Sequence, residues 1–408
     1  MADKCSAILM FGGELSAVQD RLVASDHDIY LFISREDMEL DHCRRGYKRV
    51  VALNSRSDTD YAWEIVRMCD LVGKVIRCAS VDDDYHAIAS TIAERLGLPF
   101  RLSRTCIDNM KNKETTRGIA NALSPRPIAY ALVEHQADLE AFVRATPGSL
   151  IVKPRHGTGS RSIFCVEGGA AFDPVSLPTV RENDGGWVAE QFIEGREYSV
   201  ESLSAGGRHL IVGVTEKMRF KDSYVERAHV FPAQLANTER DRIVLFVSDL
   251  LSAVGLQDGP AHTEVMVNAE GVFLIETQAR MGGDWIWRLI GLVTGLDETA
   301  IMARLVLDGT MELPTLTYDG VAEIEYRHFH GDGLAVGALA NVRMALDVKN
   351  VVDVLPLLPP GTPTRPLNSS FDRSYLVITH AADRHEADRA MYRAHRLLRY
   401  ELYAFQGD

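Results

Sequence analysis

Short apolar runs alternate with stretches of helical spacing along the first hundred residues of the chain. Alternation of strands and helices at this pace is typical of a parallel sheet with helices packed on its faces. We therefore predict a Rossmann-like α/β domain over residues 1–105. The predicted strands are 6–11, 29–33, 50–53 and 71–77, and the predicted helices are 15–24, 61–70 and 84–96.

From residue 106 onward the apolar pattern predicts both helices and short strands. A polar stretch at 312–320, which contains Pro314 and Gly320, marks a change of composition. We therefore predict a second domain over residues 106–312 and a C-terminal α+β domain over residues 313–408. The predicted helices are 112–123, 137–145, 240–254, 285–293, 299–307 and 384–399, and the predicted strands are 128–133, 150–153, 162–166, 187–192, 209–215, 321–329 and 375–379.

Residues 259–280 carry the period-2 alternation of a β-hairpin. A three-residue turn at 269–271 ends in glycine, where a left-handed residue is favoured. If Asn268 pairs with Val272, Glu264 lies directly opposite Glu276. Two facing carboxylates repel each other unless a cation lies between them.

The facing carboxylates indicate metal chemistry when their neighbours are included. Gln278 continues the face of Glu276, and Arg280 follows two residues later. Oxygen ligands with an arginine beside them suit Mg²⁺ and phosphate chemistry. From the hairpin alone, an alternative stays open in which the two glutamates are ordinary surface carboxylates on the solvated face of an edge hairpin.

A glycine-rich stretch at 154–161 separates two predicted strands. Gly157 and Gly159 would let backbone amides approach an anion, and Lys153 lies just before the loop. The stretch alone also fits an ordinary surface loop.

Composition and charge narrow the class of partner. The chain has 408 residues, of which 46% are hydrophobic, and a formal net charge of −13. Such a charge disfavours binding to nucleic acid and to anionic membranes. The six cysteines show no zinc-binding spacing, and no apolar run approaches the roughly 20 residues of a membrane span. We therefore expect a cytoplasmic protein that binds small molecules, and neither nucleic acid nor a membrane.

Five segments follow one another in the order 112–117, 151–154 with the loop 157–162, 190–197, 262–264 and 276–280. Together they resemble the ATP-grasp superfamily, specifically the carboxylate–amine ligases that include L-amino-acid (dipeptide) ligases. The resemblance covers nearly the whole chain. It implies an ATP-grasp fold in which 106–312 forms two α+β subdomains that clasp ATP, between an N-terminal pre-ATP-grasp domain and a C-terminal domain that completes the ligase.

The resemblance implies a nucleotide site with Mg²⁺ or Mn²⁺. Lys113 and Lys153 would hold the phosphates of ATP, and Glu197 would bind the ribose. The metal ligands would be Glu264, Glu276 and Gln278, although glutamine replaces the usual asparagine. The flap over the phosphates and the connector that contacts adenine would comprise His156, Gly157, Thr158, Gly159, Ser160, Ser162, Glu190, Gln191, Phe192 and Ile193.

The resemblance also implies a substrate site around Arg280, which would stabilise the acyl-phosphate and the tetrahedral intermediate. Glu226 and His229 would approach the activated amino acid, and either could accept the proton of the attacking amine. The pocket would be shaped by Gly282, Gly283 and Asp284. An aspartate there would favour a polar or amine-bearing ligand.

The implied activity is the ATP-dependent joining of an amino acid carboxylate to an amine, that of a second amino acid, with release of ADP and phosphate. Three alternatives stay open. They are a ligase for another carboxylate or amine, as in purine-biosynthesis or carboxylase relatives, a non-catalytic ATP-binding regulator, and a structural α/β protein. The resemblance also leaves a homodimer open.

Overall fold

The computed structural model describes residues 6–13, 16–39, 45–156, 163–168 and 186–404. The N-terminal region forms a parallel four-stranded sheet with the order β3-β2-β1-β4. Its alternation of strands and helices confirms the predicted α/β class. The strands are β1 Ala7–Phe11, β2 Asp28–Ser34, β3 Arg49–Leu53 and β4 Val75–Ser80, and the helices are α1 Ser16–Val23, α2 Thr59–Met68 and α3 His86–Arg95.

The fourth strand begins later than predicted. Residues 71–74 form a turn, because Asp70 and Gly73 adopt positive φ angles of 52° and 79°. Glycine accepts such angles without steric cost. The shift places Asp82, Asp83 and Asp84 directly after the carboxyl end of β4, where they line the largest site cavity described below.

Two short helices lead into a small antiparallel sheet with the order β5-β8-β6-β7. The first helix was not predicted, although Ser103 caps it by accepting a hydrogen bond from the amide of Cys106. Asn112 caps the second helix, which places Lys113 at its first residue. The elements are α4 Arg104–Lys111, α5 Lys113–Leu123, β5 Tyr130–Val133, α6 Gln136–Ala145, β6 Gly148–Pro154, β7 Phe164–Gly168 and β8 Trp187–Gln191.

A large antiparallel sheet of eight strands follows, with the order β13-β12-β9-β10-β11-β14-β17-β16. Strands β15 and β18 form a separate pair. The strands are β9 Arg196–Ala205, β10 Arg208–Arg219, β11 Glu226–Phe231, β12 Gly259–Asn268, β13 Gly271–Gln278, β14 Val321–Arg327, β15 Leu334–Ala340, β16 Val351–Pro356, β17 Tyr375–Ala381 and β18 Arg399–Ala404.

The large sheet contains strands from both sides of the predicted boundary at 312, because β11 pairs with β14. The predicted domain limits stay predictions. Five further helices occur among the described residues after β11. They are α7 Asn237–Val254, α8 Ile286–Thr294, α9 Glu298–Asp308, α10 Val342–Leu346 and α11 Arg384–Leu397.

The hairpin of β12 and β13 confirms that Glu264 faces Glu276, although its turn and its register differ from the predicted ones. Asn268 pairs with Gly271, so the turn has two residues and the predicted three-residue turn is wrong. The register then shifts by one residue at a bulge, and Glu264 pairs with Glu276 as predicted.

The apolar core of the N-terminal region extends across the chain to the loop that follows the hairpin. Met281 is buried together with Met302 and Leu305 of α9 against the first sheet. This packing anchors the residue next to Arg280 to the N-terminal region. None of the helices in the described ranges is long and apolar enough to cross a membrane.

Candidate active site

Many of the described side chains that the sequence predicts to be functional lie around a cleft between the small sheet, the large sheet and the N-terminal region. One cavity of about 280 Å³ is lined by Asp82, Asp83 and Asp84, by the hairpin carboxylates and by Arg280. A neighbouring cavity of about 110 Å³ lies under the small sheet. Its lining includes Lys153, Glu190, Gln191, Phe192, Ile193, Glu197 and apolar side chains of β13.

We call Lys153, Arg117 and Glu190 the cation cluster, because two cations share one carboxylate. Glu190 accepts two hydrogen bonds from Arg117, at 2.9 and 3.0 Å, and its second oxygen lies 2.8 Å from the ammonium of Lys153. All three side chains are buried. Burial alone would raise the pKa of Glu190, but the two cations hold it at about 2.

The cation cluster changes the interpretation of Glu190. Its carboxylate faces Arg117 and Lys153, so its evident structural contribution is to orient Lys153. A contact of Glu190 or of its neighbours with adenine stays a prediction. Arg117 was not predicted as a site residue, although it lies one helical turn after Lys113 on the same face.

Lys113 lies at the start of α5 in a narrow pocket that it shares with Glu276 and Gln278. Burial lowers the pKa of Lys113, Glu276 opposes that effect, and the nearby charge of Lys153 lowers the pKa further. The structure therefore brings together the two lysines assigned to the phosphates and a carboxylate assigned to the metal.

We call Lys217, Arg219, Glu197, Glu226 and Glu264 the carboxylate cluster, because three carboxylates share two cations. The ammonium of Lys217 lies 3.1 Å from Glu197 and 3.2 Å from Glu226, and it contacts Glu264. Arg219 lies 2.8 Å from the second oxygen of Glu197. Burial lowers the pKa of Lys217, but the three carboxylates outweigh burial and raise it well above its usual value.

The carboxylate cluster has the donor spacing of a cation site. One oxygen from each of Glu197, Glu226 and Glu264 lies within 4.8 Å of the others. Sequence reasoning left Lys217 without a role, because its strand partners lie far away in the chain. The available signal was the run of three cations, Lys217, Arg219 and Lys221, just after the predicted strand 209–215.

The pKa values of the two hairpin carboxylates shift in opposite directions. Burial would raise the pKa of Glu264, but Lys217 and His262 hold it well below the usual range. Burial and the charge of Glu264 raise the pKa of Glu276. A cation between the two carboxylates would remove this repulsion.

Gln278 supports the same interpretation. Its side chain is 8% exposed, and its amide oxygen has no hydrogen-bond partner among the described residues. Buried polar atoms are rarely left unpaired. An orphan oxygen beside two carboxylates therefore fits the oxygen ligands that Mg²⁺ takes in proteins. The donor set of Glu264, Glu276 and Gln278 thus fits a hard divalent cation.

A second buried pair lies behind Glu264. One ring nitrogen of His262 lies 2.9 and 3.0 Å from the two oxygens of Glu201, and the other lies 3.1 Å from Glu264. Burial lowers the pKa of His262, but the two carboxylates raise it to about 9. Burial and the charge of Glu201 raise the pKa of the nearby Glu298 to about 8.

Arg280 is held from two directions. It donates a hydrogen bond of 2.8 Å to the carbonyl of Met281, and its Nε lies 3.2 Å from the carboxylate of Asp83. His86 and Arg280 outweigh the effect of burial and hold the pKa of Asp83 at about 2. Sequence reasoning missed Asp83, because a contact across 197 residues leaves no local pattern.

Asp284 is committed to an internal ion pair. Its oxygens lie 2.6 and 2.9 Å from the guanidinium of Arg373, and Nε2 of His229 lies 3.1 Å away. Arg373 is 5% exposed and stacks 3.7 Å from the ring centre of Tyr326. Because Arg373 already neutralises the Asp284 carboxylate, Asp284 should attract a substrate amine less strongly than the sequence indicates.

The remaining assigned residues fall into two groups. Gly282 and Gly283 lie on the loop between Arg280 and Asp284. His156 ends the described part of the flap, and burial lowers its pKa, as does Arg155. Five predicted flap residues lie outside the described ranges. They are Gly157, Thr158, Gly159, Ser160 and Ser162.

Comparison with known proteins identifies a domain and the fold. Residues 146–288 match the family profile of the ATP-grasp domain. These residues therefore carry an ATP-grasp domain, and the predicted ATP-grasp fold is confirmed. Its backbone superimposes on an L-amino acid ligase from Bacillus licheniformis with a TM-score of 0.78, at 20% sequence identity, over 98% of this chain and 99% of that one.

Curated relatives are distant. Carnosine synthase 1 of Mus musculus is 26% identical over 59% of this chain and 32% of its own length. Alanine–anticapsin ligase of Bacillus subtilis is 23% identical over 62% of this chain and 58% of its own length. The chain thus spans about a third of the carnosine synthase that it matches.

Proposed function

We propose that this protein is an ATP-dependent ligase that joins the carboxylate of one amino acid to the amine of a second. The reaction releases ADP and phosphate through an acyl-phosphate. The observation that supports this most strongly is the facing pair Glu264 and Glu276, with the orphan oxygen of Gln278 on one side and Arg280 on the other.

The cation cluster suits the phosphates of ATP. Lys153 is oriented by Glu190, and Arg117 leaves that cluster with one positive charge in excess. Lys113 lies within electrostatic range of Lys153. Phosphoryl transfer depends on positioning and on stabilisation of negative charge, which these side chains supply.

Glu264, Glu276 and Gln278 would hold Mg²⁺, which when bound neutralises charge on the phosphates. Gln278 is one methylene longer than asparagine, and its buried oxygen still reaches the pocket that Glu276 lines. The repulsion between Glu264 and Glu276 keeps this pocket selective for a cation.

Arg280 would act on the reacting centre. Its guanidinium lines the large cavity, and Asp83 fixes its orientation. An oriented cation stabilises negative charge as the carboxylate oxygen attacks the terminal phosphorus of ATP and ADP leaves. It then stabilises the oxyanion when the amine nitrogen attacks the acyl carbon and phosphate leaves.

The attacking amine must lose one proton. His229 has a ring nitrogen, Nδ1, without a hydrogen-bond partner in the described protein, whereas the carboxylate of Glu226 is bound to Lys217. Because Glu226 is already paired with Lys217 and His229 lines the large cavity, we assign the acceptor role to His229. Alanine–anticapsin ligase and the L-amino acid ligase, by their names, join amino acids, which supports that substrate class here.

Product analysis tests the proposal. The purified chain is incubated with Mg-ATP and pairs of amino acids, and products are measured by mass spectrometry with parallel measurement of ADP. We expect ADP and a dipeptide in equal amounts, and no product from the Glu276→Gln variant. ADP release only with a different carboxylate or amine would overturn the amino acid assignment, and no ADP with any substrate would overturn the ligase.

A further inference from the structure

A buried histidine connects a metal-ligand candidate to a deeper carboxylate. His262 and Glu201 are cross-strand partners on β12 and β9, so sheet register fixes their separation. The Nδ1 of His262 lies 2.9 Å from Glu201, and its Nε2 lies 3.1 Å from Oε1 of Glu264. We call Glu201 and His262 the buried dyad.

The buried dyad is rigid and shielded from solvent. Glu201 and His262 are 2% and 4% exposed, and the hydroxyl of Ser199 donates a hydrogen bond of 2.8 Å to Glu201. Held on both sides, the imidazole ring cannot rotate without breaking charged hydrogen bonds. Hydrogen bonds between charged groups are stronger than neutral ones.

Both donors to Glu264 reach the same oxygen. The ammonium of Lys217 and Nε2 of His262 contact Oε1. Neither of these two donors uses Oε2, which could therefore face a cation. A carboxylate fixed through one oxygen presents the other in a defined direction. This is how outer hydrogen-bond partners orient the ligands of a metal.

The dyad also contacts the loop that carries Arg280. A Cβ added to Gly282 would lie 2.8 Å from Oε2 of Glu201 and 3.2 Å from Nδ1 of His262. Glycine therefore lets the substrate loop lie directly on the dyad. The buried dyad therefore contacts both the metal-ligand candidate Glu264 and the loop at Gly282.

We propose that Glu201 and His262 are positioning residues that orient Glu264 for a divalent cation. The inference rests on the proposed function only in taking Glu264 as a metal ligand. The contrary view is that the dyad is an internally satisfied core pair, whose loss lowers stability and leaves cation affinity unchanged.

Two substitutions of His262 separate the contacts. His262→Asn retains a polar group near the position of Nδ1 and loses the contact with Glu264. His262→Gln retains one near the position of Nε2 and loses the contact with Glu201. Glu201→Gln tests the deeper partner without changing His262. His395→Asn is the matched control. The His395 side chain is 8% exposed and hydrogen-bonded to Tyr375 at 3.1 Å, but it lies on α11.

Binding of Mn²⁺ to each full-length variant is measured by electron paramagnetic resonance with a non-hydrolysable ATP analogue. Thermal unfolding is recorded in parallel. We expect His262→Asn to weaken Mn²⁺ binding by about 10- to 100-fold, the range for loss of an outer-shell partner. His262→Gln and Glu201→Gln should weaken it less, and His395→Asn should leave it unchanged.

Equal Mn²⁺ affinity in wild type and His262→Asn would overturn the inference, as would an equal loss in His395→Asn. If His262→Asn does not fold, unchanged affinity in Glu201→Gln decides against it. The readout needs no turnover. If the chain forms no dipeptide but the variants show the expected order of Mn²⁺ affinities, the proposed function is refuted and the positioning role of the dyad is supported. If the chain forms a dipeptide and all variants bind Mn²⁺ equally, the function is supported and the positioning role is refuted.

Discussion

Two buried lysines lie on opposite sides of the cleft, and their surroundings have opposite charge. Lys153 shares one carboxylate with Arg117, whereas Lys217 and Arg219 face three carboxylates. Lys153 therefore lies in a positive environment that suits phosphates. Lys217 lies in a negative environment, which suits a cation or an amine.

The comparison shows that residue type alone does not define a role. Both lysines are buried and each touches at least one glutamate. The ratio of cations to carboxylates determines which ligand charge each cluster attracts. Glu276 lies between the clusters, since Lys113, Lys153 and Glu264 all influence its pKa.

Lys217→Met should have the largest effect on stability. It removes the buried ammonium that three half-buried carboxylates share and leaves them with Arg219 and His262. Removal of one partner from a buried ion pair costs about 3–5 kcal/mol. Chemical denaturation without divalent cations measures the loss. Mn²⁺ should restore part of it, because oxygens of the three carboxylates lie within 4.8 Å of one another.

The control for Lys217→Met is Lys74→Met, which breaks the exposed pair with Asp70. Exposed pairs contribute about 0–1 kcal/mol, so this variant should stay close to wild type. An equal loss in both variants, or no rescue by Mn²⁺, would show that the carboxylate cluster has no special demand for a cation.

Arg280→Ala should have the next largest effect, on catalysis. Loss of one charge-stabilising donor costs about 10²- to 10³-fold in turnover. ADP release under saturating ATP measures it, with thermal unfolding as a check of folding. Asp83→Asn retains Arg280 but weakens its anchor, so its turnover should fall less. Near-normal turnover of Arg280→Ala would remove the central catalytic assignment.

The sequence predicted the parts of this site that depend on local pattern. Alternation along the hairpin placed Glu264 opposite Glu276, although the turn was wrong and a bulge restored the register. Helical spacing predicted a helix over residues 112–123, and Lys113 is the first residue of the observed helix. These predictions succeed because period and register act over a few residues.

Contacts between distant segments could not be predicted from local pattern. Arg373 meets Asp284 across 89 residues, and Asp83 meets Arg280 from another sheet. Strand β9 lies between β10 and β12, so Glu197 and Glu201 face partners that depend on sheet order. Sheet order follows from packing of the whole chain, and alternation within one strand does not specify it.

Glu190→Gln tests the cation cluster and should have a smaller effect. The amide still accepts a hydrogen bond, but Arg117 and Lys153 lose their counter-charge. We expect a loss of about 1.5–3 kcal/mol in unfolding free energy, the value of a hydrogen bond to a charged group. ATP without metal should restore stability in this variant and not in Lys217→Met. Rescue of both variants by the same ligand would remove the distinction between the clusters.

Glu298→Gln should have the smallest effect, and that effect should depend on pH. Burial and the charge of Glu201 raise the pKa of Glu298 from its ordinary 4.5 to about 8, so the folded chain keeps a proton that the unfolded chain releases. Wild-type stability should therefore fall as pH rises through this window. Glutamine carries no such proton. The unfolding free energy of the variant, relative to that of wild type, should therefore rise by at least about 1 kcal/mol between about pH 5 and pH 8. Denaturation at several pH values measures the gain, with the exposed Glu312→Gln as control. A constant difference across pH would mean that the folded protein accommodates the Glu298 carboxylate as an anion. The region around Glu201 and the carboxylate cluster would then carry one more negative charge than we propose.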